Sequence, residues 1–402
     1  MTIAEATLVP VLLLSLAAAA IAHESKPAAD LVVANARVWT GDPGQPEVEG
    51  LAVVGERIAA TGSTAEIEGW RGPRTRVIDA GGRRVLPGFN DSHVHFFEAS
   101  AKLARVKLKD ARSPEELARR IAAHARTTPK GEWVLGGTWD DQAFERPRLP
   151  TRQDVDALTP ETPVLVDRYD GHMALANAVA LRLAGITRET KAPPGGEIVR
   201  DARGEPTGIL KDAAMGLVLR VIPPPSAETR LRAIRAGLRY AASLGITSVQ
   251  DMGPAAEDVA AYAALLERGE LTLRVSAAPA LARWKEEAGL GIRRAFGSPW
   301  LRLGAVKGFA DGSLGSTTAF FFEPYTDAPE TSGLLSDEMQ PIEAMRERLV
   351  GADAAGLQLC IHAIGDRAIS AVLDLFEDVL KANGPRDRRW RIEHAQHLAP
   401  AD

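Results

Sequence analysis

The chain has 402 residues, of which 45% are hydrophobic, enough to build a full-sized folded core. Its net charge is −5, from 48 Lys and Arg against 53 Asp and Glu, and no basic run of the nucleic-acid-binding type occurs, so nucleic acid is not an expected partner. The single cysteine, Cys360, excludes an intrachain disulfide, and its apolar surroundings predict a buried, inert thiol.

The amino terminus carries an apolar segment, residues 8–22, followed by polar residues. This segment is short for a membrane span and ends in Ala20-Ile21-Ala22, the small-x-small pattern of signal-peptide cleavage. We therefore expect residues 1–22 to be a signal peptide and the protein to be periplasmic or secreted, with no stable membrane span after cleavage. The usual basic start is missing and Glu5 stands there, so an uncleaved anchor and a misassigned start are the alternatives.

Residues 30–85 predict a small β domain. Residues 31–40, 51–60 and 76–79 alternate or run apolar between turn residues, a pattern typical of strands. We expect them to form a small antiparallel sheet.

The next predicted strand, within residues 85–96, contains His93 and His95. Residues two apart on a strand point to the same face, so both imidazoles project together where the strand runs out into a loop. Neutral imidazole is a standard zinc ligand, which predicts one side of a metal site, although the same pair can be ordinary surface chemistry. Asp91 shares that face and is interpreted as an orienting residue rather than a ligand.

Residues 96–245 are too many for one crossover and predict an inserted subdomain with strands at 133–137, 163–169, 197–200 and 208–210. Such insertions usually shape a substrate pocket. His172 is predicted to begin a helix over 173–183, either as part of a capping turn or as a substrate-facing residue. Trp139, with Asp140 and Asp141, is a second candidate for the pocket lining, although loop acidic pairs are often only solvated.

From residue 245 onward, strands and helices alternate, which favours a parallel sheet. The predicted strands are 246–251, 271–278, 301–309, 357–361 and 390–393, and the predicted helices are 227–244, 255–268, 341–355 and 367–382. With the strand before His93 this makes six barrel-type strands.

Three of these strands end in residues suited to a metal centre. His362 and His394 each follow an apolar run, the position at which catalytic groups converge in a parallel α/β barrel. Lys307 also ends an apolar strand, where burial would favour its neutral amine, with snorkelling to solvent as the alternative. Asp311, shortly after it, is a candidate for substrate contact, and backbone hydrogen bonding at a turn is its alternative role.

The order of these residues resembles the metal-dependent amidohydrolase superfamily, and more narrowly the branch that contains N-substituted formamide deformylase. The matching segments are residues 86–95, 170–177, 245–251, 306–315, 361–366 and 391–396. The resemblance implies a TIM-like (β/α)8 barrel over residues 86–402, of which about six strands are present, and a composite β-sandwich begun by residues 30–85. It also implies that one or two divalent ions, zinc first, are held by His93, His95, His362, His394 and a carboxylated Lys307. Lys307, His362 and His394 would be catalytic, and a metal-activated hydroxide would hydrolyse a non-peptide carbon–nitrogen bond of an amide, N-acyl or N-formyl substrate.

Two departures from the family pattern are visible. Thr317 stands where the family often has arginine, and the pattern continues to an aspartate at the end of strand eight that no residue of this chain matches. We therefore expect the 402-residue form to be C-terminally truncated and its activity to be reduced. A catalytically incompetent metal-binding fragment and a barrel isomerase or lyase are the alternatives. The expected partners are a small amide-like substrate and a second copy of the chain, as a homodimer.

Overall fold

In the computed structural model the described residues are 27–315 and 317–402, and the chain divides into two compact units between Pro87 and Gly88. The predicted signal peptide, residues 1–22, lies outside the described residues. In the described part of the chain, no helix is both long enough and apolar enough to cross a membrane.

The first unit consists of two small sheets with the strand orders β5-β4-β1-β6 and β3-β2-β7. Its elements are β1 (Leu31–Ala34), β2 (Arg37–Trp39), β3 (Glu47–Val48), β4 (Gly50–Val54), β5 (Arg57–Gly62), α1 (Thr64–Glu68), β6 (Arg76–Asp79) and β7 (Arg84–Val85). Strand structure is confirmed in the three predicted stretches, although residues 31–40 and 51–60 each contain two strands. A purely antiparallel sheet is wrong, since β1 pairs parallel with β6 and β2 with β7. Helix α1 returns the chain after β5, so β6 can run in the same direction as β1.

The second unit begins with β8 (Phe89–Val94) and α2 (Phe96–Ala104) and continues into the inserted subdomain. The insert is a sheet of order β13-β14-β12-β11-β10-β9 with four helices. Its elements are β9 (Val106–Lys107), α3 (Pro114–Ala125), β10 (Val134–Trp139), α4 (Arg152–Asp156), β11 (Val164–Arg168), β12 (Met173–Ala176), α5 (Ala178–Leu183), β13 (Gly196–Arg200), β14 (Pro206–Asp212) and α6 (Gly216–Leu219).

The predicted helix over 173–183 is wrong in its first part. Met173–Ala176 is strand β12, which pairs antiparallel with β11 and β14, and α5 begins at Ala178. Alanine and leucine favour a helix by only tenths of a kcal/mol per residue, so pairing on both edges decides the conformation. The side chain of Asn177 caps α5 by accepting a hydrogen bond from the backbone N–H of Ala180.

The remaining elements alternate as predicted. They are α7 (Ala227–Ser243), β15 (Ile246–Met252), α8 (Ala256–Glu267), β16 (Arg274–Ala278), α9 (Trp284–Gly289), β17 (Phe296–Gly297), β18 (Leu301–Leu303), β19 (Ala305–Phe309), α10 (Ile342–Ala354), β20 (Gln358–Ala363), α11 (Asp366–Asn383) and β21 (Arg391–His394). Parallel pairing joins β8 to β15, β15 to β16 and β16 to β18, and it joins β19 to β20 and β20 to β21. The apolar sides of α10 and α11 pack against β19 and β20 in one buried cluster.

The strand predicted over 301–309 is divided by Gly304 into β18 and β19. Gly304 has a φ of 97°, in the region that favours glycine. The first part pairs with β16 and the second with β20, so the parallel strands lie in two sheets in the described residues. A mixed α/β fold is confirmed, and the closed TIM-like barrel stays a prediction.

Helix α9 holds an acidic group that should make stability depend on pH. Glu287 is 8% exposed and its Oε2 has no hydrogen-bond partner among the described residues. Burial raises the pKa of this carboxyl to about 7 from its ordinary value of 4.5. The folded chain therefore keeps a proton that the unfolded chain loses, and stability falls as the pH rises between those two values.

We expect Glu287→Gln to melt at a higher temperature than the wild type at pH 8, by about 2–4 °C for each kcal/mol recovered, and to show no such gain at pH 4.5. Thermal unfolding across this pH range checks the expectation. The control is Glu347→Gln, at an exposed position of α10. A gain that is the same at both pH values would contradict the assignment.

Candidate metal centre

Four histidines lie together at the carboxyl ends of β8, β20 and β21 and are called here the histidine cluster: His93, His95, His362 and His394. The ring centroids are 5.6 Å apart for His93 and His95, and 4.6 Å apart for both His93–His394 and His362–His394. Imidazoles that share one zinc ion lie roughly 5 Å apart, because the zinc–nitrogen distance is about 2.0–2.1 Å. The structure thus brings together all four histidines that the sequence placed at strand ends.

The backbone at the strand ends orients these rings. His95 is the residue before α2, and the backbone N–H of Phe96 donates to Oδ1 of Asp251 on β15 at 2.8 Å. His394 has a φ of 73°, outside the strand region, so its ring leaves the alternation of β21. This local turn allows His394 to reach the same centre as residues from the neighbouring strands.

Lys307 lies on β19, with its Cα opposite Cys360 of β20. The residue is 1% exposed, its Nζ has no hydrogen-bond partner in the described part of the chain, and that atom lies 4.1 Å from the ring centroid of Phe309. Burial lowers the pKa of the amine to about 8. The alternative of a lysine snorkelling to solvent is therefore wrong, and the prediction of a buried amine is confirmed.

Burial also favours neutral imidazoles in the cluster. It lowers the pKa of His93, and it lowers the pKa of His394 to about 4, helped by the positive charges of His362, His93 and Lys307. Neutral imidazole is the form that binds metal ions. These two rings are therefore in the ligating form at neutral pH.

One observation in particular supports a fit between these residues and a divalent ion. His93 Nε2 and Lys307 Nζ are both buried and lack hydrogen-bond partners among residues 27–315 and 317–402. A buried polar atom without a partner is costly, and a cation or a group bound to the amine would relieve this cost. Within the same residues no three His, Cys, Asp or Glu side chains already form a metal-binding group. The Nε2–H of His362 donates to the carbonyl of Gly312 at 2.8 Å.

Glu393 is a buried residue of this centre to which the sequence assigned no role. It is 3% exposed, and its Oε2 lies 2.5 Å from Nδ1 of His93. Strict alternation would send Glu393 and His394 to opposite faces of β21, which argues against placing both at one centre. The positive φ of His394 removes that objection, and the sequence gives no signal of it.

Asp311 and Cys360 behave as structural residues. The Asp311 carboxylate accepts hydrogen bonds from the backbone N–H groups of Phe320, Ile364 and Gly365, so its alternative role at a turn is confirmed. Both carboxylate oxygens accept these backbone hydrogen bonds, so the predicted substrate contact of Asp311 has no support in the structure. Cys360 is 1% exposed, which confirms a buried thiol, and burial raises the pKa of that thiol to about 12, which favours the unreactive protonated form.

The candidate residues of the inserted subdomain, Trp139, His172 and Asp141, make their contacts within the insert. Trp139 is 0% exposed and its Nε1–H donates to the carbonyl of Val166, so it fills the core of the insert instead of lining an open pocket. His172 is exposed on the turn between β11 and β12, where a hydrogen bond with Asp212 raises the pKa of its ring. Asp141 is buried and paired with Arg168 at 2.7 Å, and is therefore not simply solvated.

Comparison with known proteins identifies a family model and several related proteins. The model described as "Amidohydrolase family" matches residues 76–402. Protein LONG AFTER FAR-RED 3 of Arabidopsis thaliana is 39% identical over 385 residues, which cover 92% of this chain and 65% of that protein. N-substituted formamide deformylase of Arthrobacter pascens is 29% identical over 381 residues, which cover 91% and 69%. The chain therefore spans about two thirds of the length of these relatives.

Solved structures of related proteins match over nearly the same span. The crystal structure of an uncharacterized metal-dependent hydrolase from Pyrococcus furiosus has a TM-score of 0.73 and 29% identity, and the match covers 92% of this chain and 73% of that one.

Proposed function

The chain belongs to the amidohydrolase family, and from this premise we propose that it is a metal-dependent hydrolase of a non-peptide carbon–nitrogen bond in a small amide-like substrate. The observation that carries the proposal is the buried Lys307 amine, which has no hydrogen-bond partner among the described residues and whose charge is felt by His93 and His394. A relative named as a formamide deformylase and a solved neighbour named as a metal-dependent hydrolase support the same reaction class. N-Formyl and N-acyl amines are the substrates that the proposal puts first for testing.

In this proposal the histidine cluster and Lys307 hold up to two divalent ions. His93 and His95 bind one, His362 and His394 bind the other, and imidazole with oxygen ligands suits zinc first. Lys307 would act as a carbamate: its neutral amine adds carbon dioxide, a nitrogen–carbon bond forms and a proton is released to solvent, and the resulting anion would be an oxygen ligand that offsets the positive charge of the ions. When bound, the ions supply an activated water and a positive charge for the developing oxyanion.

The surrounding residues serve to position these groups. Asp251 receives the first backbone N–H of α2 and so fixes the chain beside His95. The order of parallel pairs from β8 to β21 supports a TIM-like barrel whose strand ends converge on the centre. Export through residues 1–22 and assembly as a homodimer stay predictions from the sequence.

We expect the purified chain to bind up to two zinc ions and to release amine from a panel of N-formyl and N-acyl amines only when metal is present. Metal analysis after reconstitution and an amine-release assay check this. His93→Ala combined with His95→Ala should lose at least one ion and the turnover, because that pair holds one side of the centre. The matched control is His124→Ala, on α3 and outside the histidine cluster.

Three outcomes would count against the proposal. No bound metal after reconstitution, or unchanged affinity in the double variant, would remove the metal centre. Metal binding without turnover of any amide-like compound would leave a metal-binding protein and contradict the hydrolase.

A further inference from the structure

The contact between Glu393 and His93 joins β21 to β8, two strands that have no backbone pairing with each other in the described residues. In these sheets β8 pairs with β15 and β21 pairs with β20. Glu393 is 3% exposed, and its Oε2 is 2.5 Å from His93 Nδ1. A buried carboxylate thus contacts one of the two ring nitrogens of a candidate ligand.

Arg391 holds this carboxylate in place. Its Nε lies 2.9 Å from Glu393 Oε1, and its Nη2 donates to Glu393 Oε2 at 3.0 Å and to the backbone carbonyl of Ser92 at 2.5 Å. Arg391 and Glu393 are two residues apart on one face of β21, and they contact the consecutive residues Ser92 and His93 of β8. The guanidinium therefore holds the carboxylate through one charge-assisted hydrogen bond to Oε2 and an ion pair with Oε1.

The hydrogen-bonding chemistry of a carboxylate then determines the tautomer of His93. An ionised carboxylate only accepts, so the proton of a neutral His93 must be on Nδ1. The other nitrogen, Nε2, is left with its lone pair free. That atom is buried and has no hydrogen-bond partner in the part of the chain that the structure describes.

We propose that Glu393 is the positioning residue of His93: its carboxylate fixes the Nδ1–H tautomer and the ring orientation, and so presents Nε2 as a metal ligand. Outer partners of this kind orient metal-binding histidines and typically change metal affinity or activity by about 10–100-fold when removed. The metal-binding part of this inference rests on the proposed function. The tautomer does not, because it is set in the metal-free chain.

The test compares the wild type with Glu393→Met. A glutamine would not serve, because Arg391 Nη2 and His93 Nδ1 contact the same oxygen, Oε2, where an amide oxygen could remain. The methionine side chain fills a similar volume and offers no strong acceptor, so the Nδ1–H tautomer of His93 is no longer favoured over Nε2–H. Nitrogen-15 NMR of the histidine rings in the metal-free chain reads the tautomer, with the His93 signals assigned from His93→Ala. Chelator competition measures zinc affinity, and thermal unfolding reports whether the fold is kept.

We expect Nδ1–H in the wild type, a gain of Nε2–H in Glu393→Met, and zinc affinity weakened about 10–100-fold in that variant. Glu393→Asp, which restores the carboxylate on a shorter side chain, should recover part of the affinity. The matched control is Glu98→Met, at an exposed glutamate on α2, which should change neither readout. If Glu393→Met does not fold, the wild-type tautomer and the affinity of Glu393→Asp decide.

A wild-type His93 protonated on Nε2, or a folded Glu393→Met with zinc affinity within about twofold of the wild type, against the expected 10–100-fold, would overturn the proposal. A wild type that shows the Nδ1–H tautomer but binds no zinc would instead contradict the proposed function and leave the role of Glu393 in the tautomer standing.

Discussion

Replacing Lys307 with alanine is expected to remove one bound ion and to lower turnover at least about 100-fold, since even an outer partner of a metal ligand is worth roughly 10–100-fold. The reason lies in the surroundings of the amine. Lys307 is 1% exposed, and its Nζ makes no hydrogen bond within the described residues. As a carbamate it would supply the negative charge that two neighbouring cations need in order to limit their repulsion.

The stability of the Lys307 variants distinguishes this role from a structural one. A buried amine without a partner contributes little to stability, so Lys307→Met, which fills nearly the same volume with an apolar side chain, should fold at least as stably as the metal-free wild type. Short carboxylic acids should restore part of the turnover of Lys307→Ala by occupying the space left by the carbamate. Native mass spectrometry, metal analysis and the amine-release assay measure these effects.

The matched control is Lys285→Ala. This lysine is exposed on α9, where its Nζ lies 5.6 Å from the ring centroid of Trp284, and its replacement should leave metal content and turnover unchanged. Full turnover of Lys307→Ala without added carboxylic acid would show that Lys307 is not a bridging residue, and so would an unmodified amine in the metal-loaded wild type.

The sequence predicted the histidine cluster because the positions of its members depend on short-range rules. A buried strand in an α/β protein reads as an apolar run, and the polar residue that ends the run lies at the edge where neighbouring strands also end. His93, His362 and His394 satisfy this rule, and the His93–His394 and His362–His394 ring centroids lie 4.6 Å apart. Lys307 was predicted on the same ground.

Other features depend on contacts that local sequence does not encode. Met173–Ala176 pairs on one edge with the preceding strand β11 and on the other with β14, farther along the chain, and this pairing outweighs the helical tendency of its residues. Trp139 was predicted to line the pocket, but its ring is buried in the core of the insert. Glu393 reaches His93 over 300 residues of chain. In each case a tertiary contact determines the structural role of the residue, and no local sequence pattern indicates that contact.

Gly304 shows how one backbone position links the fold to the centre. It separates β18 from β19, and its carbonyl accepts a hydrogen bond from the backbone N–H of Gln358 at the start of β20. A Cβ at this position would lie 1.9 Å from the carbonyl oxygen of Arg293, and its φ of 97° is strained for any side chain. Since Lys307 follows three residues later, any shift of this segment also moves the amine.

Gly304→Ala is therefore expected to lower the free energy of unfolding by about 3 kcal/mol or more, from overpacking against the main chain together with backbone strain. It should also weaken zinc binding through the displacement of Lys307. Chemical denaturation and chelator competition measure the two effects.

The control is Gly269→Ala, at the end of α8, where φ is 69° and no atom lies within 4 Å of the added Cβ. It should lose only about 1–2 kcal/mol, from the left-handed conformation alone, and should keep its zinc affinity. The difference between the two variants isolates the contact with Arg293 from the positive φ that both positions share. Equal losses would mean that the segment relaxes around the new methyl group, and that the break at Gly304 does not hold Lys307 in place.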